Sequence, residues 1–291
     1  DDMRFEDLKV SVDPSYEPEI SIEQSKDYIY GALGVMGDDY VDMLQTAYRD
    51  RWIDFAQNKG KETGAYCASP YATHSYVFIS WTGKMTETFV LAHELGHAGH
   101  FKLAQSTQPY LDSEPSLYFV EAPSTMNEML MANYLFKQDD DPKFQRWVIG
   151  SIIARTYYHN MVTHLLEAAY QREVYEKVDQ GESLTAQTLN RIMYNVYQQF
   201  YGDSVQLTEG TELTWMRQPH YYMGLYSYTY SAGLTIGTVM SQRIKNEGEP
   251  AVQDWLKTLK AGGSLSPIEL AQTAGIDITT DQPLKETIAY I

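Results

Sequence analysis

Two histidines four residues apart, with a glutamate between them, constrain this chain more than any other pattern in it. His93-Glu94-Leu95-Gly96-His97 is an H-E-x-x-H run inside Thr86–Ala104, a segment whose texture predicts a helix. Residues i and i+4 share a helix face, so the imidazoles of His93 and His97 can bind one metal ion. Glu94, about 100° round from His93, can lean over that ion and take a proton from water. A shuffled chain of this composition would show the pattern roughly 0.01 times. The bland alternative is a buried helix, flanked by Phe89, Val90, Leu91 and Ala92, that carries two core histidines.

A catalytic zinc needs a third protein ligand and an open position for water. His100 lies about 10 Å from His93 along a helix axis, too far for one ion to reach all three imidazoles. The longer motif with a histidine ten residues after the first is absent, since residue 103 is Leu. Glu121, in Phe119-Val-Glu-Ala-Pro-Ser-Thr-Met-Asn-Glu128, follows His97 at a distance that leaves room for a turn and a second helix. On spacing alone it is either the third ligand or an acid that compensates a helix macrodipole. Glu128, two turns further on, can hydrogen-bond a ligating histidine from behind.

Around this motif the chain reads as mainly α, with a small β-sheet before the metal-binding helix. Ser21 followed by Gln24 starts a capped helix running to Leu33, and residues 40–57 carry Val41, Leu44, Tyr48, Trp52 and Phe55 on helical spacing. The opening, 1–18, is irregular. Gly60, Gly64 and Pro70 punctuate a loop, and Ser75–Trp81 is the best strand candidate, with Tyr66 and its neighbours as a partner strand. Helices are then expected at 86–104, 116–136, 142–175, 186–201, 224–247 and 251–260, with a short one from Ser266 and a last one at 284–291. No repeat or linker divides the chain, so residues 1–291 read as one domain.

Charge and cysteine usage bound the partners. The formal net charge of -17 repels phosphate backbones and anionic lipid surfaces, which argues against nucleic acid and membranes. No apolar run approaches the ~18 residues of a membrane helix, and no charged-then-apolar leader is visible. Cys67 is the single cysteine, which suits a reducing cytoplasm. The 24 tyrosines bring hydroxyls as well as ring area, and many crowd into Pro219-His220-Tyr221-Tyr222-Met-Gly-Leu-Tyr226-Ser-Tyr228-Thr-Tyr230. Neutral donors of this kind can stabilise charge on a carbonyl oxygen under attack, whereas the plain reading is a packing stripe.

Taken together, these motifs resemble the catalytic half of oligoendopeptidase F, in the thimet oligopeptidase family of zinc peptidases. The resemblance runs through Asn58-Lys-Gly-Lys61 with Gly64-Ala-Tyr66, Leu91-Ala-His-Glu-Leu-Gly-His97, Glu121-Ala-Pro-Ser124 and Asn127-Glu128. It continues through His220-Tyr221, Tyr226-Ser-Tyr228-Thr-Tyr230, Gly262-Gly-Ser264, Pro267 and Ala274-Gly-Ile-Asp277. It implies a zincin-type helical catalytic domain holding one Zn²⁺ on His93, His97 and Glu121, with Glu94 as general base and Glu128 behind a ligand. His220 and Tyr228 would steady the oxyanion. Tyr221, Tyr226, Gly64, Tyr66 and Tyr76 would line the substrate cleft, where a peptide could add to the strand Ser75–Trp81 by backbone pairing.

The implied activity is zinc-dependent hydrolysis of internal bonds in short, unfolded peptides. Members of the family are roughly twice as long by the domain-size rule, and their helical N-terminal portion is missing here. The expectation is therefore a catalytic fragment, completed by an N-terminal half or by self-association. Two rivals share the motif: a zinc carboxypeptidase or dipeptidyl carboxypeptidase, which needs a basic residue in the cleft, and a non-catalytic peptide-binding module. Glu94 argues against the second, because a pure binder has no use for a base beside the metal.

Overall fold

A helix buried on every side marks the centre of a helical domain, and the stretch 119–132 is such a helix: each of its residues is buried. In the computed structural model, which describes residues 3–11, 13 and 15–291, this stretch belongs to α4 (Leu117–Leu135). Around it stand α1 (Ile22–Leu33), α2 (Asp38–Arg49), α3 (Thr86–Thr107), α5 (Pro142–Ser151), α6 (His164–Asp179), α7 (Ala186–Tyr201) and α8 (Tyr228–Glu247). The chain closes with α9 (Glu249–Ala261), α10 (Pro267–Thr273) and α11 (Gln282–Tyr290). The mainly α reading holds. Among the described residues no helix is long and apolar enough to cross a membrane.

Caps set several of these helices where the sequence signalled them. Ser21 accepts from the Gln24 amide while the Gln24 side chain accepts from the Ser21 amide, and Ser266 and Glu269 repeat the exchange at α10. At the start of α3, the Glu87 carboxylate gathers the amides of Thr82, Gly83 and Lys84. That anchors the entry of the helix that carries the H-E-x-x-H run.

The sheet corrects two expectations. It has three strands in the order β1 (Ile53–Asp54), β3 (Tyr76–Ile79), β2 (Ala65–Ala68), so β3 is central, parallel to β1 and antiparallel to β2. The helix expected over 40–57 stops at Arg49, because Arg51 turns the chain with φ +60° and the Trp52 carbonyl accepts from the Val77 amide. Trp52 and Phe55 thus reach the core from either side of β1, although their spacing mimics a helix. A peptide cannot pair with β3, since both of its edges are taken; among the described residues the outer edges belong to the two-residue β1 and the longer β2.

The Asn58–Gly64 loop before β2 is pinned by one cation. The Lys61 ammonium donates to the carbonyls of Asp54 and Ala56 and sits 4.5 Å from the centre of the Phe78 ring. Tyr66 stacks on the same ring, its centre 4.9 Å from that of Phe78.

The single helix expected over 142–175 changes its winding midway. Residues 152–157 and 159–163 are π-helical between α5 and α6, an i→i+5 pattern that widens the turn and re-aims side chains. Short 3-10 turns at Thr211–Met216 and Pro219–Tyr222 precede α8, which begins at Tyr228 rather than residue 224.

Close backbone approach locks the three central helices. A Cβ on Gly96 of α3 would lie 2.7 Å from the Pro123 carbonyl oxygen, and one on Gly233 of α8 would lie 2.6 Å from the Glu121 backbone carbonyl carbon. Gly233→Ala must therefore push α8 away from α4 at Glu121. The expected cost is ~1–3 kcal/mol of stability. Thermal melting checks it; an unchanged melting temperature would contradict this account of the packing.

Candidate metal centre

The buried stretch of α4 carries a run of polar groups. Glu121, Ser124, Thr125, Asn127 and Glu128 all lie in the core, where an unpaired polar atom is costly. Each has a partner. Ser124 Oγ donates to Glu121 Oε2 at 2.8 Å, Thr125 Oγ1 donates to the Glu121 carbonyl, and Asn127 Nδ2 donates to the Ala92 carbonyl. The last of these ties α4 to α3 one residue before the first histidine.

On α3, His93 and His97 turn one face toward Glu121. The Nε2 atoms of both rings are 3.3 Å from Glu121 Oε2. One ligand atom from each of these residues lies within 4.8 Å of the other two, spacing that fits one ion held by two imidazoles and a carboxylate. The Glu121 side chain is 2% exposed while His93 and His97 keep 17% and 12%, so the cluster opens to solvent on the histidine side. His100, one turn further on, is fully buried against Phe119 and stands outside the cluster with neither ring nitrogen bonded.

The surrounding groups fix which atoms face the ion. Glu128 Oε1 is 2.6 Å from His93 Nδ1. A carboxylate only accepts, so Nδ1 holds the proton and Nε2 keeps its lone pair for a metal. Thr156, from the first π-helical segment, donates to the other Glu128 oxygen. The Tyr226 hydroxyl donates to Glu121 Oε1 at 2.6 Å, leaving Oε2 to the histidines. Thr156 and Ser124 were not legible as site residues in the sequence, because nothing in their spacing reveals the widened turn or the local hydrogen bond.

Electrostatics follow from burial and charge. Burial alone would raise the Glu121 carboxyl, but His97 and His93 outweigh it and hold it well below the usual carboxylate range. Glu94 is buried and has no hydrogen bond among the described residues; burial raises its carboxyl, and the two histidines only partly offset that. A raised carboxyl beside a metal suits a group that must accept and then release a proton.

The tyrosine-rich turn is sorted by helix geometry. Tyr226 precedes α8, whereas Tyr228 and Tyr230 lie in its first turn, about 200° apart round the axis. They cannot share a direction. Tyr230 points inward, its hydroxyl 3.3 Å from His220 Nε2, and His220 stacks on Tyr226 with ring centres 5.6 Å apart. Tyr228 faces outward beside Tyr118 and is 37% exposed, with no hydrogen bond to the ligand cluster. Tyr228 thus stands apart from the ligand cluster, and Tyr230 stands beside His220. Burial first, then the Glu121 charge, raises the hydroxyls of Tyr226 and Tyr230, so both remain donors at neutral pH. Burial and His164 lower His220, which is therefore a neutral ring. Tyr221 is buried against Tyr170, while Tyr66 and Tyr76 are exposed on the sheet and Gly64 takes φ +94° in the loop before β2.

The sequence matches the family described as Peptidase family M3 over residues 20–290. Oligopeptidase PepF of Bacillus subtilis (strain 168) is 30% identical over 285 residues, covering 98% of this chain and 42% of the relative. Oligoendopeptidase F, chromosomal, of Lactococcus lactis subsp. cremoris is 26% identical, covering 93% and 46%. Among solved structures, a putative peptidase from Chlamydophila abortus superposes with a TM-score of 0.79 at 28% identity, over 99% of this chain and 48% of that one. Oligoendopeptidase-F from Enterococcus faecium shares the fold with a TM-score of 0.66 at 22% identity, over 100% and 44%. The chain spans less than half the length of each of these four proteins.

Proposed function

The chain belongs to peptidase family M3, and on that premise we propose that it is the catalytic portion of a zinc endopeptidase acting on short, unfolded peptides. The observation that carries this reading is the convergence of His93 Nε2, His97 Nε2 and Glu121 Oε2 beside the unpaired carboxylate of Glu94. The two-nitrogen, one-oxygen donor set, with a solvent-facing side and hydrogen bonds behind two of the ligands, fits zinc. Bound zinc supplies Lewis-acid activation of the attacking water and the scissile carbonyl.

The chain's own residues do the rest. Glu94 accepts the proton of the attacking water and returns it to the departing amine. His220 and Tyr230 are neutral donors that can meet the oxygen on which charge develops, with Tyr226 holding Glu121 in place. Tyr228, Tyr66 and Tyr76 offer exposed ring surface to a substrate, and an extended peptide can pair with the unpaired edge of β2. The limit on peptide length is assigned to a portion beyond this chain, joined to it, supplied as a partner half, or replaced by self-association. The compartment proposed is the cytoplasm, where the lone Cys67 stays reduced.

Arg243 does not serve an exopeptidase. It is engaged by Glu247, Asp254 and the Ala274 carbonyl, so it is not free to bind a terminal carboxylate. Mass spectrometry of peptide digests with and without chelator tests the reading. Internal cuts abolished by chelator and restored by zinc are expected. Chelator-resistant cleavage, or removal of C-terminal residues only, would overturn it.

A further inference from the structure

Behind the donors lies a second buried histidine–carboxylate pair that the proposed chemistry does not use. His164 opens α6 and Glu167 follows one turn later; both are 1% exposed, and His164 Nδ1 is 2.7 Å from Glu167 Oε2. The carboxylate accepts, so the imidazole proton sits on Nδ1 and the ring plane is fixed. That ring stacks on Tyr230, with centres 4.1 Å apart and planes 14° from parallel, and stands 5.8 Å from the ring of His220. The remaining oxygen, Glu167 Oε1, and the remaining nitrogen, His220 Nδ1, are both buried without a hydrogen-bond partner among the described residues.

An i,i+3 pair of this kind ordinarily serves a solvated helix surface, where it contributes only tenths of a kcal/mol. Inside a core the same pair must overcome the desolvation of its charge, and an apolar pair of equal volume is often as stable or more so. Stability alone therefore does not account for it. Its location does: the pair rests on the phenol that meets His220. The contact is also rigid, because Ser231, next to Tyr230, donates to the Asn160 carbonyl in the π-helical segment that leads into α6.

We propose that His164 and Glu167 form a positioning pair for the site's two donors. Glu167 holds the plane of the His164 imidazole, and that ring, stacked on Tyr230, holds the phenol in register with His220. The inference deepens the peptidase reading and rests on it for its kinetic consequence, but its geometric content stands apart from turnover.

The test uses the whole zinc-loaded chain, a fluorogenic oligopeptide, and 3-fluorotyrosine placed at position 230 for ¹⁹F NMR. His164→Ala should lower kcat ~10–100-fold, with KM within about twofold, zinc content unchanged and the Tyr230 fluorine signal shifted or broadened. Tyr230→Phe should cost ~10²–10³ in kcat in the wild-type background, but less than ~10-fold once His164 is already alanine, because the two act as a unit. Glu167→Gln should reproduce the fluorine shift. His164→Phe, which keeps a flat ring on Tyr230, should recover part of kcat. A purely structural role would lower the melting temperature while leaving the kinetic coupling additive.

If kcat of His164→Ala stays within twofold of wild type, or the two costs simply add, the pair does not position the donors. If His164→Ala fails to fold, Glu167→Gln and His164→Phe carry the same readouts. Should the wild-type chain cleave no peptide, the peptidase reading falls, and the fluorine signal alone decides the pair: unmoved in Glu167→Gln, it overturns the proposal; moved, it supports it.

Discussion

Glu94→Gln is expected to bind zinc as the wild type does and to lose ~10²–10⁴ in kcat, the range over which a positioned general base contributes. The substitution keeps the shape and polarity of a buried side chain that has no hydrogen-bond partner among the described residues, so it leaves no other described group unsatisfied. What it removes is the ability to accept a proton. KM should change little, because the base acts in the transition state rather than on bound substrate. Stopped assays with metal analysis on the same sample make the comparison. A variant that still cleaves within tenfold of the wild-type rate would place the base elsewhere.

Removal of a metal ligand should have the other large effect. His93→Ala, His97→Ala and Glu121→Ala each leave two of three donors, and no fourth donor joins the cluster among the described residues. Partners behind a ligand are worth 10–100-fold in metal affinity, so loss of a ligand should exceed ~100-fold. Each variant should emerge from dialysis with little zinc. His100→Leu should keep its zinc, since that ring lies in an apolar pocket with both nitrogens unbonded. Full zinc in Glu121→Ala would remove Glu121 from the ligand set.

Local spacing and non-local pairing account for what the sequence does and does not disclose. The i,i+4 histidines share a face wherever their helix lies, and the capping pairs at Ser21 and Ser266 act within one turn; both were legible. The fold class was legible too, because the long helices repeat their apolar pattern over many residues. The order of the three strands was not, since it depends on pairings between Trp52 and Val77 and between Tyr66 and Phe78 that local texture does not encode. The π-helical winding at 152–163 was equally hidden, yet it aims Thr156 at Glu128 and carries the chain to His164.

The unpaired edge of β2 has a consequence for what such a site can recognise. Its four residues, Ala65–Ala68, span about 13 Å at 3.3 Å per residue, and they offer backbone amides and carbonyls rather than a shaped pocket. A segment inside a native helix or sheet has already committed its own amides and carbonyls to neighbours and has none to give. A loose segment has them all. On the proposed reading, an edge of this kind discriminates by conformational state: it would admit whatever has lost its fold, or never had one, largely regardless of the residues it contains, and pass over intact proteins that carry the same words in their sequences.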